Sequence, residues 1–268
     1  MKNDSLIAAE FVAQGRSEDC PVIDMHGHYG PFRGIYFPSP YADGMLHTMD
    51  RCGVKSIVVA GHAALVEPER GNRIVAEVIR MHPGRFFGYR AVNPNYPASV
   101  SREVERFSED ADFVGFKFHP SWHQYPLTGE AYKPALEYAN DHNLLVLSHT
   151  WGFSEVDGPR FVGELATAYP RVTFIMGHAG YGEWEVSFAV AREHENCYLD
   201  LTAAYREGGI IEQMVETVGS HKIPFGTDLP WFDPHYGIGA VCFSHITDED
   251  RHNILHRNAE HLLARLRG

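Results

Sequence analysis

Eight short apolar runs, each followed by a stretch patterned for a helix, recur along the chain about every thirty residues. That rhythm constrains the fold more than any other feature. The runs cover residues 21–25, 54–60, 85–92, 113–119, 144–149, 172–178, 196–201 and 222–228. Their starts step by 33, 31, 28, 31, 28, 24 and 26 residues, close to the length of a strand plus a crossover helix. Between them, segments 70–81, 130–142, 160–169 and 208–218 carry apolar residues at three- and four-residue spacing, as helices that pack on a parallel sheet do. Residues 1–19 read as a short helical extension. Residues 247–267 read as the closing helix, with Thr247 and Asp248 as caps and Ile254, Leu255, Leu262 and Leu263 on one side. No linker interrupts the pattern, and 268 residues suit one domain, 1–268, of barrel size.

Eight βα units can close into a (β/α)8 TIM barrel or open into a doubly wound sheet. The placement of polar residues decides for the barrel. His26 and His28 stand two apart at the end of the first run, and side chains alternate along a strand, so both imidazoles face one way and can share a metal. Alone, such a pair is easily met by chance among 17 histidines. However, His149 ends the fifth run, His178 the sixth and Asp228 the eighth. Only a closed barrel gathers strand ends so far apart in sequence around one centre, and barrel enzymes keep their chemistry at that end. Imidazoles and a carboxylate gathered there would destabilise the mouth unless they bound something.

Composition excludes several function classes. Acidic residues outnumber basic ones 35 to 23, for a net charge of −12, so the average surface repels polyanions and nucleic acid is not expected as a partner. Small anions stay open as substrates, because a single arginine such as Arg33 or Arg206 can attract one carboxylate locally. Cys20, Cys52, Cys197 and Cys242 are scattered without a C-x-x-C pair, which fits reduced thiols in the cytoplasm. No run approaches the eighteen apolar residues of a membrane span, and the N-terminus carries no apolar signal core, so neither membrane association nor export is expected.

The pieces IDMHGH, GFKFHP, VLSHT, FIMGHAG and PFGTDLPW, followed by HRNAEHLL, run in order from residue 22 to about 263. As a set they resemble the amidohydrolase superfamily, in its single-metal, amidohydrolase-related branch (Amidohydrolase 2). The resemblance implies that His26, His28 and His149 ligate one divalent metal and that Asp228 binds it or its water. His178 would stand beside it to orient water or polarise substrate. Zinc is the first choice of ion, with manganese or iron as alternatives, since imidazoles and a carboxylate suit all three. On the fourth strand Lys117 and His119 share a face. Binuclear superfamily members bridge two metals with a carboxylated lysine at that strand, but Lys117 lies two residues deeper than the strand end, where an internal ion pair is the plainer reading. His119 is better placed to touch substrate. Asp24 reads either as an acceptor that fixes an imidazole tautomer or as a buried polar anchor, and Asp200 either as support for the site or as a satisfied barrel residue.

All four tryptophans, Trp122, Trp151, Trp184 and Trp231, follow strand ends, joined by Tyr29, Phe32, Tyr36, Tyr125 and Phe232. They suggest an apolar pocket for a small organic substrate, with His119, Trp122, Trp151 and Tyr29 in contact with it. Such a rim could equally be a satellite core or the interface of a homodimer. The expected reaction is hydrolysis of an activated carbonyl (a lactone, amide or ester) by metal-bound hydroxide, with Asp228 and His178 as the catalytic groups. The alternative is non-oxidative decarboxylation of an aromatic or unsaturated carboxylic acid.

Overall fold

The computed structural model describes residues 5–110 and 112–266. Seven strands form one parallel sheet in chain order: β1 (Val22–Tyr29), β2 (Val54–Gly61), β3 (Phe86–Ala91), β4 (Phe113–Phe118), β5 (Leu145–Trp151), β6 (Thr173–Tyr181) and β7 (Cys197–Leu199). Nearly every strand residue is buried, because the inner face packs in the barrel and the outer face packs on helices.

The eighth run departs from expectation: residues 223–229 form no ladder strand. They still close the wall. Met25 N donates to Phe225 O at 2.8 Å, Asp228 N to His26 O at 2.7 Å and His28 N to Leu229 O at 2.8 Å, while on the other side Leu201 N donates to Pro224 O at 3.3 Å. Pro224 has no N–H to offer and Asp228 sits at φ 64°, so a regular ladder is interrupted at both ends. The architecture is therefore the expected (β/α)8 barrel, closed by an irregular seam.

Inside the barrel Ile23, Met25, Val58, Phe87, Tyr89, Leu145, Leu147 and Ile175 pack together, with Ala259 and Leu262 of the closing helix against them. That helix begins at Asp248 with Thr247 as its N-cap, in a capping box with Asp250, and passes through a π-helical turn, Asn253–Arg257, into Asn258–Ala264. Residue 267 of the expected helix, like residues 1–4 of the extension, lies outside the described residues. The extension itself is the helix Leu6–Gln14, capped by Ser5. Helices Ala42–Cys52, Pro97–Glu105, Trp184–Glu193 and Pro234–Phe243 occupy stretches whose periodicity had not marked them. Among the described residues no helix is long and apolar enough to cross a membrane, and no disulfide joins the four buried cysteines.

Candidate metal centre

The floor of the barrel mouth is built from β1 and the seam. The β1–β2 register slips between Asp24 and Gly27, so that His26 lies within this bulge and His28 just past it, and both turn toward the mouth. Gly27 lies between them against Ile57 and Val59, where a Cβ would fall 2.4 Å from Ile57 Cδ1. The bulge also sends Asp24 elsewhere. Its Oδ1 accepts from His26 N at 3.0 Å and Thr227 N at 3.2 Å, and its Oδ2 accepts from the Thr227 hydroxyl. Asp24 thus stitches β1 to the seam through backbone amides and is the buried anchor, not an imidazole acceptor. The tautomer-setting role belongs to Asp200 on the segment after β7, whose Oδ2 lies 2.7 Å from His26 Nδ1 and accepts from His178 N at 3.1 Å. With its proton on Nδ1, His26 keeps the Nε2 lone pair for the mouth.

His26, His28 and Asp228 bring their donor atoms into one group. Asp228 Oδ1 lies 3.1 Å from His26 Nε2 and 3.2 Å from His28 Nε2. Neither approach has hydrogen-bond geometry, so Asp228 Oδ1 is buried without a partner. With both Nε2 lone pairs turned inward, as ligation requires, three atoms this close would repel unless a cation lay among them, a need that Lys117 Nζ, 2.8 Å from His26 Nε2, meets on one side only. Donors on a metal at about 2.1 Å stand roughly 3 Å apart, so the set fits a divalent ion. The electrostatics agree. Burial, opposed by the contact with Asp228, pushes His28 down to about 3, which keeps its imidazole neutral as a ligand must be. For Asp228 burial acts upward, but His26, His178 and His28 together outweigh it and hold the carboxyl well below its usual range.

The other expected residues take distinct places. His149 is not within the three-donor group. Its Nδ1 lies 2.9 Å from Asp157 Oδ2 and 3.2 Å from Ser121 Oγ, and its ring stacks on His119 at 4.3 Å and meets His178 edge-on at 4.8 Å. His178 sits at φ 61°, a left-handed conformation that costs a non-glycine residue and that it shares with Asp228. Its buried Nδ1 lacks a hydrogen-bond partner and lies 3.9 Å from Asp228 Oδ2, and burial holds its pKa well below the ordinary imidazole value. Lys117 is deeper in the strand than the imidazoles but reaches His26 Nε2 at 2.8 Å. It makes no direct ion pair; burial lowers its pKa to about 8 against the pull of Asp228 and Asp200.

Above this floor opens a cavity of about 460 Å³, lined by His119, Trp122, Trp151, Trp231, Phe32, Phe232 and Arg206 among others. Its aromatic walls and Trp122 and Trp151 are as expected. Tyr29 is not on it: one residue past His28, it points outward and packs edge-on against Phe86 and Tyr41. Trp184 also lies off the cavity, against Tyr181 and Phe188. Two contributors escaped the sequence reading. His62 follows β2, stacks on His28 with ring centroids 4.7 Å apart, and is held by Gly30 O and Trp231 Nε1. Its position two residues past an apolar run was a usable signal. Asp157, in the loop after β5, had none.

A family model described as Amidohydrolase matches residues 23–265. The gamma-resorcylate decarboxylase of Polaromonas sp. (strain JS666 / ATCC BAA-500) is 23% identical over 282 residues, covering 82% of this chain and 86% of that protein. The chain is also similar in fold to a solved 2,6-dihydroxybenzoate decarboxylase complexed with 2,6-dihydroxybenzoate, with a TM-score of 0.74 at 18% identity over 93% of this chain and 100% of the other. A dihydroxybenzoic acid decarboxylase from Polaromonas sp. JS666, solved with bound manganese and the inhibitor 2-nitroresorcinol, gives a TM-score of 0.75 at 18% identity, over 91% and 97%. These relatives overturn the hydrolytic expectation. They are named for breaking a carbon–carbon bond, and nothing among them favours carbonyl hydrolysis.

Proposed function

The chain belongs to the amidohydrolase family, and on that premise we propose that it catalyses the non-oxidative decarboxylation of a small hydroxylated aromatic acid. The observation that carries the reading is the three-donor group of His26, His28 and Asp228 at the floor of a cavity walled by Trp122, Trp151, Trp231, Phe32 and Phe232. A flat ring fits between aromatic walls, and its carboxylate meets cations at both depths, Arg206 at the mouth and Lys117 at the floor. His149 turns one nitrogen to Asp157, which leaves the other to complete the donor set. Two imidazoles and a hard carboxylate, with a manganese-bearing fold relative, favour Mn²⁺ over the zinc first expected. Such an ion would supply a fixed positive charge that binds and orients the substrate's carboxylate and phenol oxygens.

The chain's own groups do the rest. Decarboxylation adds one proton to the ring carbon that carries the carboxylate. The bond to that carboxylate then breaks, its electron pair returns to the ring and CO₂ leaves. Asp228 and His178 face each other and are both held as weak bases, so a proton reaching either is passed on readily. The aromatic walls exclude water from that carbon.

The test is incubation of manganese-loaded protein with 2,6-dihydroxybenzoate and a panel of mono- and dihydroxybenzoates, following CO₂ release and the decarboxylated phenol together. Stoichiometric CO₂ and phenol are expected. Absence of CO₂ from the whole panel would refute the proposal.

A further inference from the structure

A second group of metal-ligating side chains lies at the opposite pole of the barrel. Cys20 precedes β1 by two residues, so it sits where strands begin and not where they end. His252 immediately precedes the π-helical turn of the closing helix and His256 lies within it, and one donor atom from each of the three residues falls within 4.8 Å of the others. His252 Nδ1 lies 3.0 Å from His256 Nε2. On its far side His256 Nδ1 lies 3.1 Å from Glu260 Oε1 without a hydrogen bond between them, so a small turn of either side chain would set the carboxylate to orient the imidazole. Cys20 and His256 are buried and His252 is half-buried. The nearby cations are neutralised, Arg257 by Glu249 and Arg251 by Asp248.

We propose that Cys20, His252 and His256 form a separate binding site for a thiophilic divalent cation such as zinc. One sulfur and two imidazole nitrogens are a soft donor set, unlike the oxygen-containing group at the mouth, and three protein donors leave the fourth position of a tetrahedral ion to water. Four residues apart on one helix, the two rings stand on the same side, and the π-helical turn that holds His256 is of a kind that gathers at functional sites. Metal capture there joins residue 20 to residues 252 and 256, tying the start of β1 to the helix that closes the barrel. The Cys20 thiol, which burial raises to about 12, loses its proton to solvent as the ion binds.

Cobalt(II) is the probe, because the mouth group contains no sulfur and only a thiolate site gives sulfur-to-cobalt charge-transfer absorption. Metal-stripped protein bearing His26→Gln and His28→Gln is titrated with Co²⁺, and then with Zn²⁺ while its melting temperature is followed. The expected result is a charge-transfer band saturating at one cobalt per chain and a zinc-dependent rise in melting temperature, both absent in Cys20→Ser. His252→Ala should weaken cobalt binding by roughly tenfold or more. Should Cys20→Ser fail to fold, His252→Ala still decides, since its partly exposed ring is not part of the core. No band in the parent, a band that survives Cys20→Ser, or unchanged affinity in His252→Ala would each overturn the assignment. Because the readout is independent of decarboxylation, loss of the proposed activity would leave it standing.

Discussion

The barrel wall is made in two ways. From β1 to β7 each strand is joined to its neighbour by a parallel backbone ladder. Residues 223–229 are joined by individual hydrogen bonds and by one buried carboxylate, Asp24, which takes both Thr227 groups. A ladder strand must alternate its side chains across the sheet. The seam has no such obligation, and it uses that freedom at Asp228, whose left-handed backbone brings a carboxylate against two imidazoles. Regular pairing thus supplies the frame, and the irregular seam, backed by the bulge in β1, supplies the convergence that a metal requires.

By that division, the largest functional effects come from side chains the seam delivers and smaller ones from the ladder strands. Asp228→Asn keeps the size of the side chain but removes its charge and its basicity. We expect turnover to fall by about 10²–10⁴-fold, bound metal to fall as well, and thermal stability to change little; comparable turnover in the variant would break the comparison. On the ladder side, Asp157→Asn loosens the imidazole of His149 at the end of β5 without touching the seam. There the expected loss of activity or metal affinity is about 10–100-fold, measured by CO₂ release and metal per chain. A larger loss than for Asp228→Asn would mean that β5, and not the seam, governs the site.

How far this was legible in the sequence follows the same line. Ladder strands are apolar runs bounded by polar residues, and the starts of β1 to β7 lie within a residue or so of where such runs begin. The run at 222–228 looks the same by composition, and only Pro224 and Gly226 hint that its backbone is irregular. The helix Pro234–Phe243 was not marked because it has no polar face: it is apolar nearly all round and packs between the helix Leu6–Gln14 and its neighbours. At the site, strand alternation and strand-end position singled out His26, His28, His178 and Asp228, which the fold brings close together. The readings of Asp24 and Tyr29 failed for different reasons. A bulge re-aimed Asp24, whereas Tyr29 obeyed alternation and therefore faced outward. His62 and Asp157 contribute through loops, whose placement depends on contacts some thirty residues away for His62 and on the fold of the mouth for Asp157. The reaction was not legible at all, since one donor set serves hydrolysis and decarboxylation alike.

Two glycines sharpen the contrast at the level of stability. A Cβ on Gly226, in the seam, would meet Asp200 Oδ1 at 2.1 Å, Thr202 Oγ1 at 2.5 Å and His26 Cβ at 2.8 Å. A Cβ on Gly115, in β4, would meet Leu145 O at 1.9 Å. Both substitutions to alanine overpack a buried site and should cost about 1–3 kcal/mol of folding stability. Only Gly226→Ala pushes on the carboxylate that orients His26, so only it should also lower metal retention. Denaturant titration paired with metal analysis separates the two, and equal metal loss in both variants would contradict the division.

The smallest expected effect concerns how the ladder side of the mouth is tied together. Where the seam uses a carboxylate, the loop after β4 uses His123, whose Nε2 lies 2.8 Å from Leu65 O beyond β2. Burial lowers the His123 pKa below the usual imidazole value of 6.5, against the opposing pull of that carbonyl. The folded chain therefore binds fewer protons at this ring than the unfolded chain does. Its contribution to stability is complete above about pH 6.5 and is lost as pH falls through the lowered value, with a slope of at most about 1.4 kcal/mol per pH unit. In His123→Gln this part of the acid sensitivity disappears, so melting temperatures measured from pH 7.5 down to about 5.5 should fall less steeply than in the parent. An unchanged slope would mean that the ring titrates alike in the folded and unfolded chains, and that its burial between the loop and β2 contributes nothing to the acid sensitivity.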